Sequence, residues 1–325
     1  MPVITYREAV GQALREALDE DERVFLMGED IGPYGGAFAV TKGFWEQYGQ
    51  RRIKDSPLSE SGFTGAGVGA AMAGLRPIVE LMTINFSLLA ADQIVNHAAK
   101  IRYMSGGQFS VPLIIRTVTG AGAGVGATHS QSFEGWYASV PGLQVVVPST
   151  PQDVLGLFRS CRDLEDPVLF VEHILLYGTR GEISENGEKI PLGLADVKRP
   201  GKDVTLISYS RMVHVCLEAA GHLAQDGIDA EVVDLRSLRP LDTDTIVASA
   251  KKTHNVLVVE EAPKLGGFAG EVISQIQQEA FDYLDGPVGR LAGEEVPIPY
   301  SLPLEQLAIP NAERVAQAAR SLLGR

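Results

Sequence analysis

Three short segments of this chain carry side chains that could do chemistry. In Pro57-Leu58-Ser59-Glu60-Ser61-Gly62-Phe63, an acid stands immediately before a run of small residues that reads as a helix. The plain reading is a helix-capping glutamate, since the positive end of a helix favours a carboxylate. The chemical reading is an acid tuned to hold or give up a proton. In residues 120–127, Gly120, Gly122, Gly124 and Gly126 alternate with other residues after a strand-like run, and His129 closes the loop. Open parallel sheets hold ligands at loops of this kind. A loop histidine is often only solvated, but imidazole is the side chain that exchanges protons near neutral pH. The third segment, Met82-Thr83-Ile84-Asn85-Phe86, ends an apolar strand, and by pattern alone Met82 and Phe86 belong to the core.

Other chemistries are excluded by what is missing. The glycine loop contains Gly-x-Gly-x-x-Ala, but a dinucleotide fingerprint also needs an acid about 20 residues on, at the end of the next strand. That strand reads Leu143-Gln144-Val145-Val146-Val147 and runs into Pro148 and Ser149. There is no phosphate-binding Gly-x-x-x-x-Gly-Lys and no Gly-x-Ser-x-Gly elbow. The 6 histidines show no His-Glu-x-x-His spacing, and His214 and His222 sit two turns apart on one expected helix, too far to share a metal. Cys161 and Cys216 are the only 2 cysteines and form no Cys-x-x-Cys, which argues against a disulfide framework and fits a reducing cytoplasm. A net charge of −13 opposes binding to nucleic acid or anionic membranes. No apolar run approaches the roughly 18 residues of a membrane span, and Met1-Pro2-Val3-Ile4 does not open a secretory signal.

The elements that must position these residues alternate. Thr5-Tyr6-Arg7-Glu8 forms a capping box, followed by Val10, Leu14, Ala17 and Leu18 at helical spacing. Strands are expected at 23–27, 77–82, 112–118, 143–147 and 168–172. Helices are expected within 63–74, at 88–103, and from Pro151 to about residue 163. Strands separated by helices imply right-handed crossovers and a mainly parallel sheet covered on both faces. The polar stretch around 184–189, punctuated by Pro200-Gly201, reads as a linker. A second α/β series follows, with strands at 204–208, 230–234 and 256–260. Its helices lie at 213–225, 243–252, 270–280 and 312–323. The expected division is 1–180, linker 181–200 and 201–325.

Taken in order, the segments resemble a known family. They are Met27-Gly28-Glu29-Asp30, the Pro57 to Phe63 run, and Glu80-Leu81-Met82-Thr83-Ile84-Asn85-Phe86. Further on come Tyr103-Met104-Ser105-Gly106-Gly107-Gln108, Thr128-His129-Ser130-Gln131, Val259-Glu260-Glu261 and Val296-Pro297-Ile298-Pro299-Tyr300. The chain resembles the beta subunits of thiamine-dependent 2-oxo acid dehydrogenases, in the transketolase-like group, and Met104-Ser105-Gly106-Gly107-Gln108 favours the pyruvate dehydrogenase branch.

The resemblance implies a pyrimidine-binding domain followed by a transketolase C-terminal-like domain. It implies that Glu60 bonds a ring nitrogen of the aminopyrimidine of thiamine diphosphate. Phe86 would pack on that ring, with Leu58 and Met82 as apolar neighbours. His129 would assist the steps after decarboxylation, including transfer to lipoamide. It further implies a potassium ion held by backbone carbonyls at Leu113, Cys161, Leu164 and Asp166, with Arg162 beside them.

Thiamine enzymes hold the diphosphate through magnesium, using Gly-Asp-Gly and a later Asn. No Gly-Asp-Gly occurs here. The magnesium half is therefore expected from an alpha subunit, in an α2β2 assembly that docks on a dihydrolipoamide acyltransferase core. Pyruvate would be decarboxylated and its acetyl group passed on toward acetyl-CoA. Branched-chain 2-oxo acid or acetoin dehydrogenase, and a non-catalytic docking subunit, remain as alternatives.

Overall fold

The computed structural model describes residues 1–184 and 186–325. Glu185, in the polar stretch expected as linker, lies outside the described residues. The chain forms two compact units, Met1–Thr119 with Tyr137–Leu192, and Gly120–Trp136 with Gly193–Arg325.

In the first unit the strands run in the order Gln144–Val146, Val168–His173, Ile114–Thr119, Arg76–Leu81, Val24–Glu29 and Ile53–Ser56. Every pairing among them is parallel. The strand Ile53–Ser56 carries Lys54 and Asp55 and so lacks an apolar run, yet its Ile53 is fully buried. Side chains alternate across the sheet. Ile78 faces a core shared with helices Tyr6–Glu20 and Pro151–Arg162. Val79 faces the opposite way, toward helix Glu60–Met72. The first helix starts as its capping box requires: Thr5 Oγ1 accepts from the Glu8 amide at 3.1 Å, and Glu8 accepts from the Thr5 amide at 2.7 Å. Pro151 opens the other helix, with Thr150 capping it.

One expected helix is broken. Residues 88–103 hold the end of a 3₁₀ turn at Ile84–Leu88, a π turn at Gln93–Ala98 and a short α-helix at Ile101–Met104. Ala90, Ile94 and Ala98 are all buried and recur every fourth residue. That spacing also suits one face of an α-helix, which is why the stretch reads as helix in the sequence. The stretch expected as linker is also not all coil. Arg180–Glu182 pairs antiparallel with Val3–Thr5, and Asp196–Arg199 pairs antiparallel with Ala230–Asp234.

The second unit has a five-stranded sheet in the order Gly289–Gly293, Val256–Pro263, Val204–Ser208, Ala230–Asp234, Asp196–Arg199, parallel except for the last pair. Helices Arg211–Gln225 and Ala312–Leu322 share its core with Val204, Leu206, Val232 and Val259.

Beneath the C-terminal edge of the first sheet lies a buried ion cluster. Glu80 and Arg116 are register partners on adjacent strands and form an ion pair. Arg116 also grips Glu172 with Nε at 2.5 Å and Nη2 at 2.8 Å, and Nη2 donates to the Tyr177 hydroxyl at 3.1 Å. That hydroxyl donates to Glu172 at 2.7 Å. Burial pushes the Glu80 carboxyl up, and Arg116 opposes that shift. A Cβ on Gly28, level with Glu80, would stand 2.7 Å from the Glu80 carbonyl oxygen, so only glycine lets the two strands pair there.

Removing the only cation of this cluster strands two buried carboxylates. Arg116→Met is expected to cost about 3–5 kcal/mol, read as a lower urea midpoint at neutral pH. A loss under about 1 kcal/mol, the size of an exposed ion pair, would show that the cluster is not the anchor described.

Candidate active site

Parallel pairing sets the strand ends level. Glu29, the last residue of its strand, is the register partner of Ser56, and four residues after Ser56 comes Glu60. The next strand ends at Leu81 and leads into Met82 and the 3₁₀ turn that carries Phe86. The segments that were singled out thus leave neighbouring strands at the same edge, where open α/β sheets place ligands.

Glu60 is the first residue of helix Glu60–Met72 and is buried. No side-chain hydrogen bond caps this helix, and Glu60 is the acid of its first turn. The helix can sit this close because it is built of small residues. A Cβ on Gly67 would stand 2.6 Å from Val79 Cγ2, and one on Gly65 would stand 2.9 Å from Gln93 Oε1. Phe86 is half-buried, as is Met82. The turn under Phe86 is pinned by Ser87, whose hydroxyl donates to the Ile84 carbonyl at 2.5 Å and accepts from Tyr137 at 2.7 Å. Leu58 is 81% exposed. Leu88 and Leu89, just after Phe86, are exposed too. Apolar side chains left open beside a buried acid mark a surface that something else covers.

Glu29 is the residue that sequence reasoning left without a role. Its carboxyl is pushed up to about 7, first by burial and then by the neighbouring Glu60 charge, while the Ser59 amide opposes the shift by donating to it. Its Oε1 is buried with no hydrogen-bond partner among the described residues. The signal available was position alone, an acid at the C-terminal end of a buried strand within Met27-Gly28-Glu29-Asp30. A buried acid whose carboxyl is raised to about 7 suits proton handling near neutral pH. A buried orphan oxygen, a buried helix-end carboxylate and a half-buried phenyl ring fit a polar aromatic heterocycle such as an aminopyrimidine.

His129 belongs to the second unit, in the segment Gly120–Trp136. It is exposed; its amide donates to the Gly126 carbonyl at 3.1 Å, and its Nδ1 lies 2.9 Å from the Thr128 hydroxyl.

The positions expected to hold potassium gather at the other end of the first sheet. Cys161, Arg162 and Leu164 line a cavity of about 210 Å³ with Asp21 and Arg76. The Leu113 carbonyl accepts from the Val168 amide and the Cys161 carbonyl from the Leu164 amide. Arg76 donates to the carbonyls of Arg162 and Leu164 at 2.8 and 3.1 Å. The Asp166 carboxylate pairs with Arg102 at 2.8 Å. Arg76, already bonded to two of these carbonyls, would compete with a monovalent ion there. Among the described residues no group of three or more His, Cys, Asp or Glu could hold a metal ion.

Comparison with known proteins agrees with this geometry. Residues 3–179 match the transketolase pyrimidine-binding domain, and residues 193–315 match the transketolase C-terminal domain. A solved split-gene transketolase, an inactive beta4 tetramer, superposes with a TM-score of 0.81 at 24% identity over 99% of this chain and 98% of that one, a likeness of fold. Fold and family match therefore define a transketolase-like protein with a pyrimidine-binding domain. The pyruvate dehydrogenase E1 component subunit beta-1 of Arabidopsis thaliana is 49% identical over 98% of this chain and 88% of its own length. The E1 beta subunit of Rickettsia felis is 46% identical over 98% of both. The chain belongs to the pyruvate dehydrogenase E1 beta-subunit family.

The raised Glu29 carboxyl has a definite pH signature. It binds a proton more tightly folded than unfolded, so its contribution to stability falls as pH rises from 4.5 toward 7 and is level above that. Glu29→Gln removes this contribution. The stability of the native chain relative to the Gln variant should therefore drop between pH 5 and 8, by up to about 3 kcal/mol. Urea unfolding at both pH values measures it, and a pH-independent difference would show that the carboxyl is not raised.

Proposed function

We propose that this chain is the catalytic beta subunit of a pyruvate dehydrogenase, supplying the aminopyrimidine half of a thiamine diphosphate site. The observation that carries the reading is Glu60, a buried acid at an uncapped helix start, beside a second acid that keeps its proton up to about pH 7. Family membership and the names of the relatives support pyruvate as substrate.

When bound, thiamine diphosphate supplies the electron sink for decarboxylating a 2-oxo acid. The residues of this chain bind and tune it. Glu60 would hold a proton against a ring nitrogen, and Glu29, whose carboxyl is raised to about 7, stands beside it. Phe86 gives an aromatic face, with Met82 beside it and Leu58 covering the ring once the partner is in place. His129 serves the later transfer of the acetyl group to lipoamide on an acyltransferase core. Magnesium and the diphosphate fall to an alpha subunit, in keeping with the absence of Gly-Asp-Gly and with the exposed Leu58, Leu88 and Leu89. An α2β2 assembly follows. Potassium at the carbonyls of Leu113, Cys161, Leu164 and Asp166 belongs to the same reading. So does a cytoplasmic location, which two unpaired, buried cysteines support.

The chain alone should not decarboxylate pyruvate. Adding an alpha subunit, thiamine diphosphate and magnesium should restore turnover. In that assembly Glu60→Gln should lose roughly 10²–10⁴-fold in kcat while the tetramer still forms on a sizing column. Near-native turnover would sink the role given to Glu60. A panel of pyruvate, branched 2-oxo acids and acetoin fixes the substrate.

A further inference from the structure

We infer that Glu305 is a positioning residue that holds the His129 loop in shape by occupying the loop's own anion-binding nest. Gly120, Gly122, Gly124 and Gly126 all have left-handed φ, at 104°, 104°, 67° and 78°. Left-handed glycines alternating with other residues turn successive amides toward one side, the geometry that binds anions. In the sequence such a loop suggests an external ligand. In the folded unit the protein's own acids fill it. Glu305 is fully buried, and its two oxygens accept from the Gly122 and Gly124 amides at 2.8 and 3.0 Å. Glu261 accepts from the Ala121 amide at 2.6 Å.

The clamp extends to the histidine. A Cβ on Gly124 would stand 3.1 Å from Leu302 Cδ2, and one on Gly126 would stand 2.4 Å from the Tyr300 ring. The segment from Tyr300 to Glu305 thus grips the loop by ring, aliphatic chain and carboxylate. The Gly126 carbonyl, under Tyr300, accepts from the His129 amide. Loop amides bonded to a buried carboxylate are charge-assisted, and a neutral replacement leaves them poorly satisfied. Helix Leu302–Ala308, which carries Glu305, therefore sets where His129 is presented.

The proposal rests on the reading of His129 as the residue serving acetyl transfer, and the test separates the two. Glu305→Gln, Glu305→Asp and Tyr300→Ala are made in the full chain and assembled with the alpha subunit and thiamine diphosphate. Amide hydrogen exchange at residues 121–126 should speed up roughly tenfold in Glu305→Gln, the factor for one charge-assisted bond lost. Transfer to a lipoyl domain should slow by a similar factor. Decarboxylation measured with an artificial electron acceptor, and KM for pyruvate, should stay near native. Glu305→Asp should recover part of the transfer rate. Tyr300 is 75% exposed, so its loss leaves the core intact and should loosen the same loop, which keeps the test decisive if Glu305→Gln does not fold. Unchanged exchange and transfer in both Glu305→Gln and Tyr300→Ala would overturn the clamp. Faster exchange with native transfer, together with a His129→Ala variant that also transfers normally, would instead overturn the role of His129.

Discussion

The buried guanidinium of Arg116 is the constraint on which the first unit depends. A fully buried cation is tolerated only if its donors are satisfied and its charge is met. Glu80, Glu172 and Tyr177 do this from the neighbouring strands and the turn after them. Because Glu80 and Arg116 are register partners, a one-residue slip between their strands would send one charge to the other face of the sheet. The cluster therefore holds the strand ends level. It also explains Gly28, whose missing side chain admits the Glu80 backbone. With the ends level, Glu29, Glu60 and Phe86 leave the sheet at one edge.

The buried acids of this protein share a chemistry and differ in what surrounds them. Glu80 and Glu172 face a cation and serve structure. Glu261 and Glu305 face backbone amides and shape a loop. Glu29 faces another acid, with no cation among the causes of its shift, and its proton affinity rises. Glu60 is buried at the start of a helix that no side-chain hydrogen bond caps. The same carboxyl group thus differs in bonding and proton affinity with its burial and its neighbours.

Much of the fold was legible. The capping box, the Pro151 helix start and the apolar strand runs each have a local cause, and each stands where expected. The misses were elements whose stability is not local. Ile53–Ser56 and Asp196–Arg199 are short and charged, and become strands because an edge is open to them. The expected helix at 88–103 is broken into 3₁₀, π and short α turns, for which its local pattern gives no cause. Leu302–Ala308 is short and has little periodicity, so the helix carrying Glu305 went unseen although Ser301 and Pro303 mark its start.

The sequence by itself determined the residue types, their order, the alternation that makes two α/β units, and the family that such a succession of segments marks. It also determined, through the missing Gly-Asp-Gly, that a partner is expected for the diphosphate. Only the tertiary structure decided which acids meet which partners. It raised the Glu29 carboxyl by burying it and setting it beside Glu60, and it turned a glycine loop that reads as a ligand cradle into one filled by Glu305. The physical reason is that backbone propensity acts over a few residues. Proton affinity and hydrogen-bond satisfaction depend instead on burial and on charges brought close from distant parts of the chain.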